Sequence, residues 1–270
     1  MNTRRLALAG LAILASAALG TAGCSNASTS KPPAASGSSA PASGSTSTGS
    51  NSAKDTILAA VKKLGEQPYK YTLTSSGLSG KGAVDPAGKK VSLTLAGQQS
   101  GVNVTWDMIL VTPDYWMKLD FGGQNASIGL PSGKWMHIDQ TKIKNSSGFG
   151  IDPSRTDPTR SQGLFDGLTD AKQVDATHYT VTLDLTKTSD AAVDQATITK
   201  MGDKAKSVPA SVVLDDQGRL ASVTLDLNSV DPDSSVTSTF SDYGTPVSIS
   251  APASSDTVEA PAAVYSIFNS

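Results

Sequence analysis

The cysteine at position 24 is the residue whose type and position most directly predict a chemical modification. It is the only cysteine in the chain, and it follows Ala22-Gly23 and an apolar run from Leu6 to Leu19. Arg4-Arg5 precedes that run, so the basic, apolar and small-residue regions of a secretory signal occur in order. The run is shorter than a membrane span requires. We therefore expect a signal peptidase to recognise the small residues and to cut beside the thiol.

The segment Thr21-Ala22-Gly23-Cys24 resembles the lipobox of bacterial lipoproteins, with Thr21 where Leu, Val or Ile is usual. The resemblance implies that signal peptide 1–23 is removed and that Cys24 carries a diacylglyceryl thioether and an acylated amino terminus, of which palmitate is a typical component. Two or more acyl chains hold a protein stably at a bilayer, whereas one does so only marginally. The implied location is the extracytoplasmic face of the cell membrane. An ordinary secretory signal with a stray cysteine is the alternative, and Thr3-Arg4-Arg5-Leu6 leaves the export route, Sec or twin-arginine, open.

The two histidines are the next candidates for chemistry. His137 and Asp139 lie two residues apart on a predicted strand, so their side chains share a face and have the spacing of a metal or acid–base pair. No nearby cysteine or second histidine completes a familiar zinc set. We interpret the pair, and His178 at the start of another predicted strand, as solvated polar residues.

Common catalytic and phosphate-binding motifs are absent from the sequence. It has no Gly-x-Ser-x-Gly, His-Glu-x-x-His, Gly-x-Gly-x-x-Gly or Walker-type loop. Asp152, Asp157, Asp166 and Asp170 do not have the spacing of a calcium loop. The sequence therefore predicts no catalytic residue, no metal site and no cofactor, and we expect that the protein is not an enzyme. A triad assembled from distant residues is the alternative that a motif search leaves open.

The composition is that of a globular domain without a nucleic-acid partner. Of 270 residues, 38% are hydrophobic and 17% charged, and 22 Lys+Arg against 24 Asp+Glu give a net charge of -2. Nucleic-acid binding calls for a basic face, which this balance does not favour. With one cysteine no internal disulfide is possible, so the fold must depend on packing.

The chain divides into four segments by composition. After signal 1–23, residues 24–52 are rich in Ser, Ala, Gly, Thr and Pro, which predicts a disordered tether with a reach of about 30 Å. A mucin-like stalk has similar composition and remains an alternative. Residues 53–252 carry the periodic apolar pattern of a domain, and we expect 253–270 to be a frayed tail.

Strand periodicity dominates the predicted domain. Residues 53–64 have helical spacing, capped by Ser52 and ended by Gly65. The clearest alternation is Val102–Leu110, and Tyr115–Asp120 follows a turn signal. Weaker helices are expected over 157–168 and 190–205. The sum predicts an α+β fold: one curved antiparallel sheet, or half-barrel, with a few helices on its concave face.

This arrangement resembles the LppX and LprG type lipoproteins of actinobacterial cell envelopes, which share a half-barrel with LolA-type lipoprotein carriers. The resemblance spans residues 53–252. It rests on the lipobox, the tether, the N-terminal helix and the following segments: Tyr115-Trp116-Met117, Lys134-Trp135-Met136, Pro209 to Asp215, Gly218-Arg219-Leu220, Phe240 to Gly244 and Pro246-Val247. It implies a deep apolar cavity that carries lipids or acylated glycolipids, with no catalytic signature.

Apolar residues on the predicted inner surfaces are the candidate ligand contacts. They are Tyr71, Leu73, Leu93, Leu95, Trp106, Met108, Tyr115, Met117, Met136, Phe165 and Leu168. Each buried methylene contributes about 0.8 kcal/mol, so a lipid needs no specific polar contact. Packing of these side chains on one another is the alternative for each residue. The sequence thus predicts a membrane-anchored lipid-binding or lipid-transfer protein, and the alternative is an extracytoplasmic sensor or scaffold with a solid core and a protein partner of unknown identity.

Overall fold

The computed structural model describes residues 46–99, 101–143, 161–188, 193, 195–229 and 234–268. Its strands are β1 Tyr69–Ser75, β2 Leu78–Asp85, β3 Lys90–Gln99, β4 Val102–Val111, β5 Asp114–Phe121, β6 Trp135–His137, β7 Leu168–Gln173, β8 His178–Leu183, β9 Val208–Leu214, β10 Leu220–Asp226, β11 Ser235–Ser241 and β12 Thr257–Glu259. Its α-helices are α1 Thr46–Lys62, α2 Ser161–Leu164, α3 Gln195–Met201 and α4 Ala262–Phe268. Within these residues, no helix has the length and apolarity needed to cross a lipid bilayer.

All twelve strands form one open sheet. Their order is β12-β6-β5-β4-β3-β2-β1-β11-β10-β9-β8-β7, and every pair is antiparallel except β12 with β6, which is parallel. The predicted fold class, an α+β half-barrel, is confirmed. From β1, short turns carry the chain outward through β2, β3, β4 and β5. On the other side β7 forms the edge of the sheet, and β8 to β11 run back toward β1, so that β11 pairs with β1.

One face of the sheet, the inner face, carries the core. Residues alternate along each strand, as in β1, where Tyr69 and Tyr71 are buried and Lys70 and Thr72 are exposed. Helix α1 packs mainly against β7. Its buried side chains Ile57, Ala60 and Val61, and Leu64 in the 3-10 turn that follows it, belong to the same cluster as the inner-face strand residues. The helix that follows the predicted tether therefore closes the core over one half of the sheet.

Helix boundaries differ from the sequence prediction. Ser52 does not cap α1, which begins six residues earlier at Thr46; instead the Ser52 carbonyl accepts from the Thr56 hydroxyl at 2.9 Å. Polar contacts with β7 hold this early turn, since Ser50 donates to the Asp170 carboxylate at 2.6 Å. The predicted second and third helices fall partly outside the described residues; within them, α2 and α3 are each followed by a 3-10 turn, at Phe165–Gly167 and Gly202–Lys206.

The C-terminal segment corrects the expectation of a frayed tail. Residues 257–259 form β12 and residues 262–268 form α4. Val264 and Tyr265 are buried, and the Tyr265 hydroxyl accepts from the Asp139 backbone N–H at 2.9 Å. The domain thus extends beyond residue 252. The signal peptide, Cys24 and the tether up to residue 45 lie outside the described residues.

Candidate functional site

Directly opposed residues form rows across the inner face. One row contains Tyr71, Gly82, Leu93, Met108 and Met117, and Met136 on β6 continues it. Opposed side chains on antiparallel strands have Cβ atoms about 4.5–5.5 Å apart. The register therefore brings candidates predicted from five separate stretches of sequence into one continuous strip.

The neighbouring row on the same face, two residues along each strand, contains Leu73, Gly80, Leu95, Trp106 and Leu119. Strands β1, β3 and β5 end just beyond this row. We call these strand ends the open end of the sheet. The opposite strand ends, beyond Tyr69 and Leu110, are the closed end. The row to which a residue belongs therefore gives its position between the closed end and the open end.

Burial falls along the β1–β5 half of the inner face from the closed to the open end. At the closed end Tyr69 and Tyr115 are 0% and 2% exposed. Toward the open end most apolar side chains of β1 to β4 are half-buried, whereas Leu119 on β5 stays buried. We call the half-buried side chains the open apolar surface: Leu73, Leu95, Trp106, Met108, Leu78, Val104 and Phe121.

The structure thus divides the candidates of the sequence analysis in two. Buried in the core are Tyr71, Leu93, Tyr115, Met117, Met136 and Phe165. Half-buried and packed against that core are Leu73, Leu95, Trp106, Met108 and Leu168. Four of the half-buried residues adjoin one another on β1, β3 and β4, whereas Leu168 lies at the start of β7.

Glycines on the inner face of β2 make room for side chains from the neighbouring strands. A Cβ on Gly82 would lie 2.1 Å from the Ser92 carbonyl oxygen and 2.5 Å from the Tyr71 hydroxyl. A Cβ on Gly80 would lie 2.6 Å from Cδ2 of Leu95. Tyr71 and Leu95 therefore lie over β2, and the apolar surface of β1 and β3 is continuous across it.

Tyr115 is an ionisable residue within this apolar face. Burial raises the pKa of the Tyr115 phenol well above its ordinary value, and the nearby Trp106 indole opposes that effect. The phenol is therefore neutral at physiological pH. None of the candidate residues on the inner face therefore carries a charge that an apolar ligand would have to contact.

The histidine residues lie elsewhere and have structural partners. His137 points to the outer face, where Nε2 is 3.0 Å from Asp114 and Nδ1 is 3.3 Å from Glu259. Asp139 instead caps the turn that follows β6, because its carboxylate accepts from the Thr141 N–H at 3.0 Å and pairs with Lys142. No group of three or more His, Cys, Asp or Glu suited to a metal ion occurs in the described residues. His178 is exposed and lies 2.8 Å from Asp175.

A concavity of about 490 Å³ lies on the outer face of β9 to β11. Polar and apolar groups contribute about equally to its lining, which includes Pro209, Ser211, Thr224, Asp226 and Asn228. It contains none of the candidates from the sequence. This concavity is open and of mixed polarity, unlike the apolar site that the sequence predicts.

Three residues of the open apolar surface are not among the ligand contacts predicted from the sequence: Leu78, Val104 and Phe121. Val104 lies within the strongest alternating run, so its spacing carried the necessary signal. Leu78 and Phe121 lie at strand ends beside glycines, where the pattern stops. Only the pairing of Leu78 with Gly97 and of Val104 with Phe121 shows that they extend the same surface.

Comparison with known proteins adds no relative to this description. No protein-family model matches the chain, and no curated protein matches it. The candidate site is accordingly defined by its geometry alone.

Proposed function

We propose that the protein is a membrane-anchored carrier that holds acyl chains of a lipid against the open apolar surface. The observation that carries the proposal is the gradient of burial on the inner face, from the buried Tyr69 to the half-buried Leu73, Leu95 and Trp106. Water in contact with such a strip is displaced favourably by methylene groups, at about 25 cal/mol per Å² of apolar surface.

Chemistry of the site supports the same ligand class. The candidates supply aliphatic, thioether and aromatic groups, and Met108 lies opposite Met117 on the adjacent strand. Methionine side chains are flexible and polarisable, so they adapt to chains of different shape. The lipobox-like segment before Cys24 supports an anchor that keeps this surface near its lipids.

Tryptophan quenching provides a direct test, because the chain has three tryptophans on different faces. Trp106 lies on the inner face, whereas Trp116 opposes His137 on the outer face. Trp135 is also on the outer face, where Nζ of Lys118 lies 4.8 Å from the centre of its ring. Brominated stearic acid bound at the proposed site should quench Trp106. We expect quenching in the unsubstituted protein and in Trp116→Phe, and its loss in Trp106→Phe.

A second pair of variants tests the surface without removing the probe. Leu95→Ser should weaken the apparent affinity for the brominated fatty acid severalfold, because it removes apolar area from the site. Leu58→Ser is the matched control, since Leu58 is 46% exposed on α1 and lies away from the site. Circular dichroism of both variants verifies folding. Saturable quenching that survives Trp106→Phe, or none at millimolar ligand, contradicts the proposal and favours the scaffold alternative.

A further inference from the structure

The two ends of the β1–β5 half of the sheet differ in charge. At the open end, residues 75–79, 98–99, 101–103 and 121–124 consist of Ser, Gly, Gln and Asn with Leu78, Val102 and Phe121, and contain no charged residue. The one carboxylate beside them among the described residues is that of Asp120, which accepts from the Gly123 N–H at 3.0 Å. At the closed end, the turn between β2 and β3 contains Lys89 and is flanked by Asp85 and Lys90. The uncharged turns lie at one end of the open apolar surface, and we call them the rim.

Helix α1 fixes where the preceding chain joins the domain. Near its start, Ser50 and Lys54 donate to Asp170 and to the Thr169 carbonyl at the open end. At the other end of the helix region, Lys63 donates to the Gln217 carbonyl at 2.8 Å, in the turn between β9 and β10 at the closed end. The helix therefore runs from the open end to the closed end, and the chain from Cys24 enters at the open end.

We propose that the rim docks on the surface of a lipid bilayer, so that the open apolar surface faces the membrane. This inference rests on the proposed anchor at Cys24. About 20 residues separate Cys24 from Thr46, and the tether predicted from their composition reaches about 25 Å. The open end therefore stays within reach of the headgroups.

The chemistry of the rim fits such a surface. Removing a charged group from water at the interface is costly, whereas amides, hydroxyls and backbone groups exchange hydrogen bonds with headgroups at low cost. Val102 and Phe121 are half-buried at the rim and add apolar contact. The adjacent half of the open end is different, because Asp226 lies there on β10; contact is therefore confined to the β1–β5 half. A docked rim lets an acyl chain pass between bilayer and domain without crossing bulk water.

Strand β2 offers a matched pair of labelling sites. Ser76 and Ala87 are exposed turn residues just beyond its two ends, and eight residues of strand separate the turns by about 25 Å. Ser76→Cys and Ala87→Cys introduce single reactive thiols into the full lipidated chain, because Cys24 is blocked by its thioether. Each is labelled with the same fluorophore, and the protein is reconstituted in phosphatidylcholine vesicles containing a headgroup-region spin-labelled lipid.

We expect the label at Ser76 to be quenched at least twofold more strongly than the label at Ala87. Equal quenching, stronger quenching at Ala87, or quenching of neither label in protein that floats with the vesicles overturns the docking orientation alone. Failure of the protein to float overturns the anchor as well. Strong quenching at Ser76 only in native membranes points to a protein partner and also contradicts direct docking on lipid.

Discussion

The side chain of Tyr71 crosses the inner face of β2 at Gly82. Its hydroxyl donates to the Ser92 carbonyl on β3 at 3.0 Å, although Tyr71 itself belongs to β1. Gly82 lies directly opposite Tyr71, and any Cβ there would meet both the phenol and the Ser92 carbonyl. One aromatic side chain thus spans three strands, and it does so because the middle strand lacks a side chain at that position.

Gly82→Ala is expected to lower the free energy of unfolding by about 1–3 kcal/mol, because the new methyl group forces a backbone oxygen or a buried phenol to move. Urea denaturation followed by circular dichroism measures the change. Gly65→Ala is the matched control, since no atom lies within 4 Å of its added Cβ; we expect a change below about 1 kcal/mol. Equal effects of the two substitutions would show that the crossing at Gly82 is not tightly packed.

Asn125 holds the open-end turn after β5. Its side chain, 2% exposed, accepts from the Phe121 N–H at 2.8 Å and donates to the Leu119 carbonyl at 2.6 Å. Asn125→Ala leaves these buried groups without their partner, which should destabilise the domain by about 1–3 kcal/mol. The neighbouring exposed residue provides the control, since Gln124→Ala removes no side-chain cap and should change stability by less than about 0.5 kcal/mol. Thermal unfolding in parallel distinguishes the two.

His137 makes the attachment of β12 dependent on pH. Partial burial lowers the pKa of His137, but the hydrogen bonds and charges of Asp114 and Glu259 outweigh it and raise the pKa above its ordinary value. Only the protonated imidazole donates through both ring nitrogens. Its stabilising contribution is therefore full below about pH 6.5 and is lost as the pH rises through the raised pKa.

Amide hydrogen exchange over residues 257–268 at several pH values, corrected for intrinsic rates, measures this attachment. Protection should fall between slightly acidic and alkaline pH by a factor corresponding to about 0.2–1 kcal/mol. His137→Gln should remove the pH dependence, whereas His178→Gln, near the opposite edge of the sheet, should retain it. A pH-independent profile in the unsubstituted protein would contradict the role of His137.

Strand identity was predictable where the alternation was long. Val102–Leu110 and Tyr115–Asp120 fall within β4 and β5, because a half-buried antiparallel strand imposes a period of two on its sequence. Gly80 and Gly82 are two residues apart, so they lie on the same face of β2. That Tyr71 and Leu95 fill the space above them required the register of three strands, which no local pattern specifies.

Long-range pairing was not predictable from local patterns. Residues 257–259 form β12 only by parallel pairing with β6, more than a hundred positions away, and parallel partners leave no turn signal between them. The early start of α1 likewise depends on contacts of Ser50 and Lys54 with β7, which compensate for the poor helix propensity of Thr-Ser-Thr-Gly-Ser. For the same reason the sequence indicates only a solvated polar face for His137, although Glu259 of β12 lies 3.3 Å from its Nδ1.

The most direct measurement is mass spectrometry of lipids released from the Cys24→Ser protein after export by its own cells and purification without detergent. This variant has no thioether, so any acyl lipid that accompanies it is bound noncovalently. The account predicts near-stoichiometric release of acyl lipid, and less than half that amount from a Cys24→Ser, Leu95→Ser protein that remains folded. An exported, folded Cys24→Ser protein that releases no acyl lipid, and takes up none from vesicles, would contradict it.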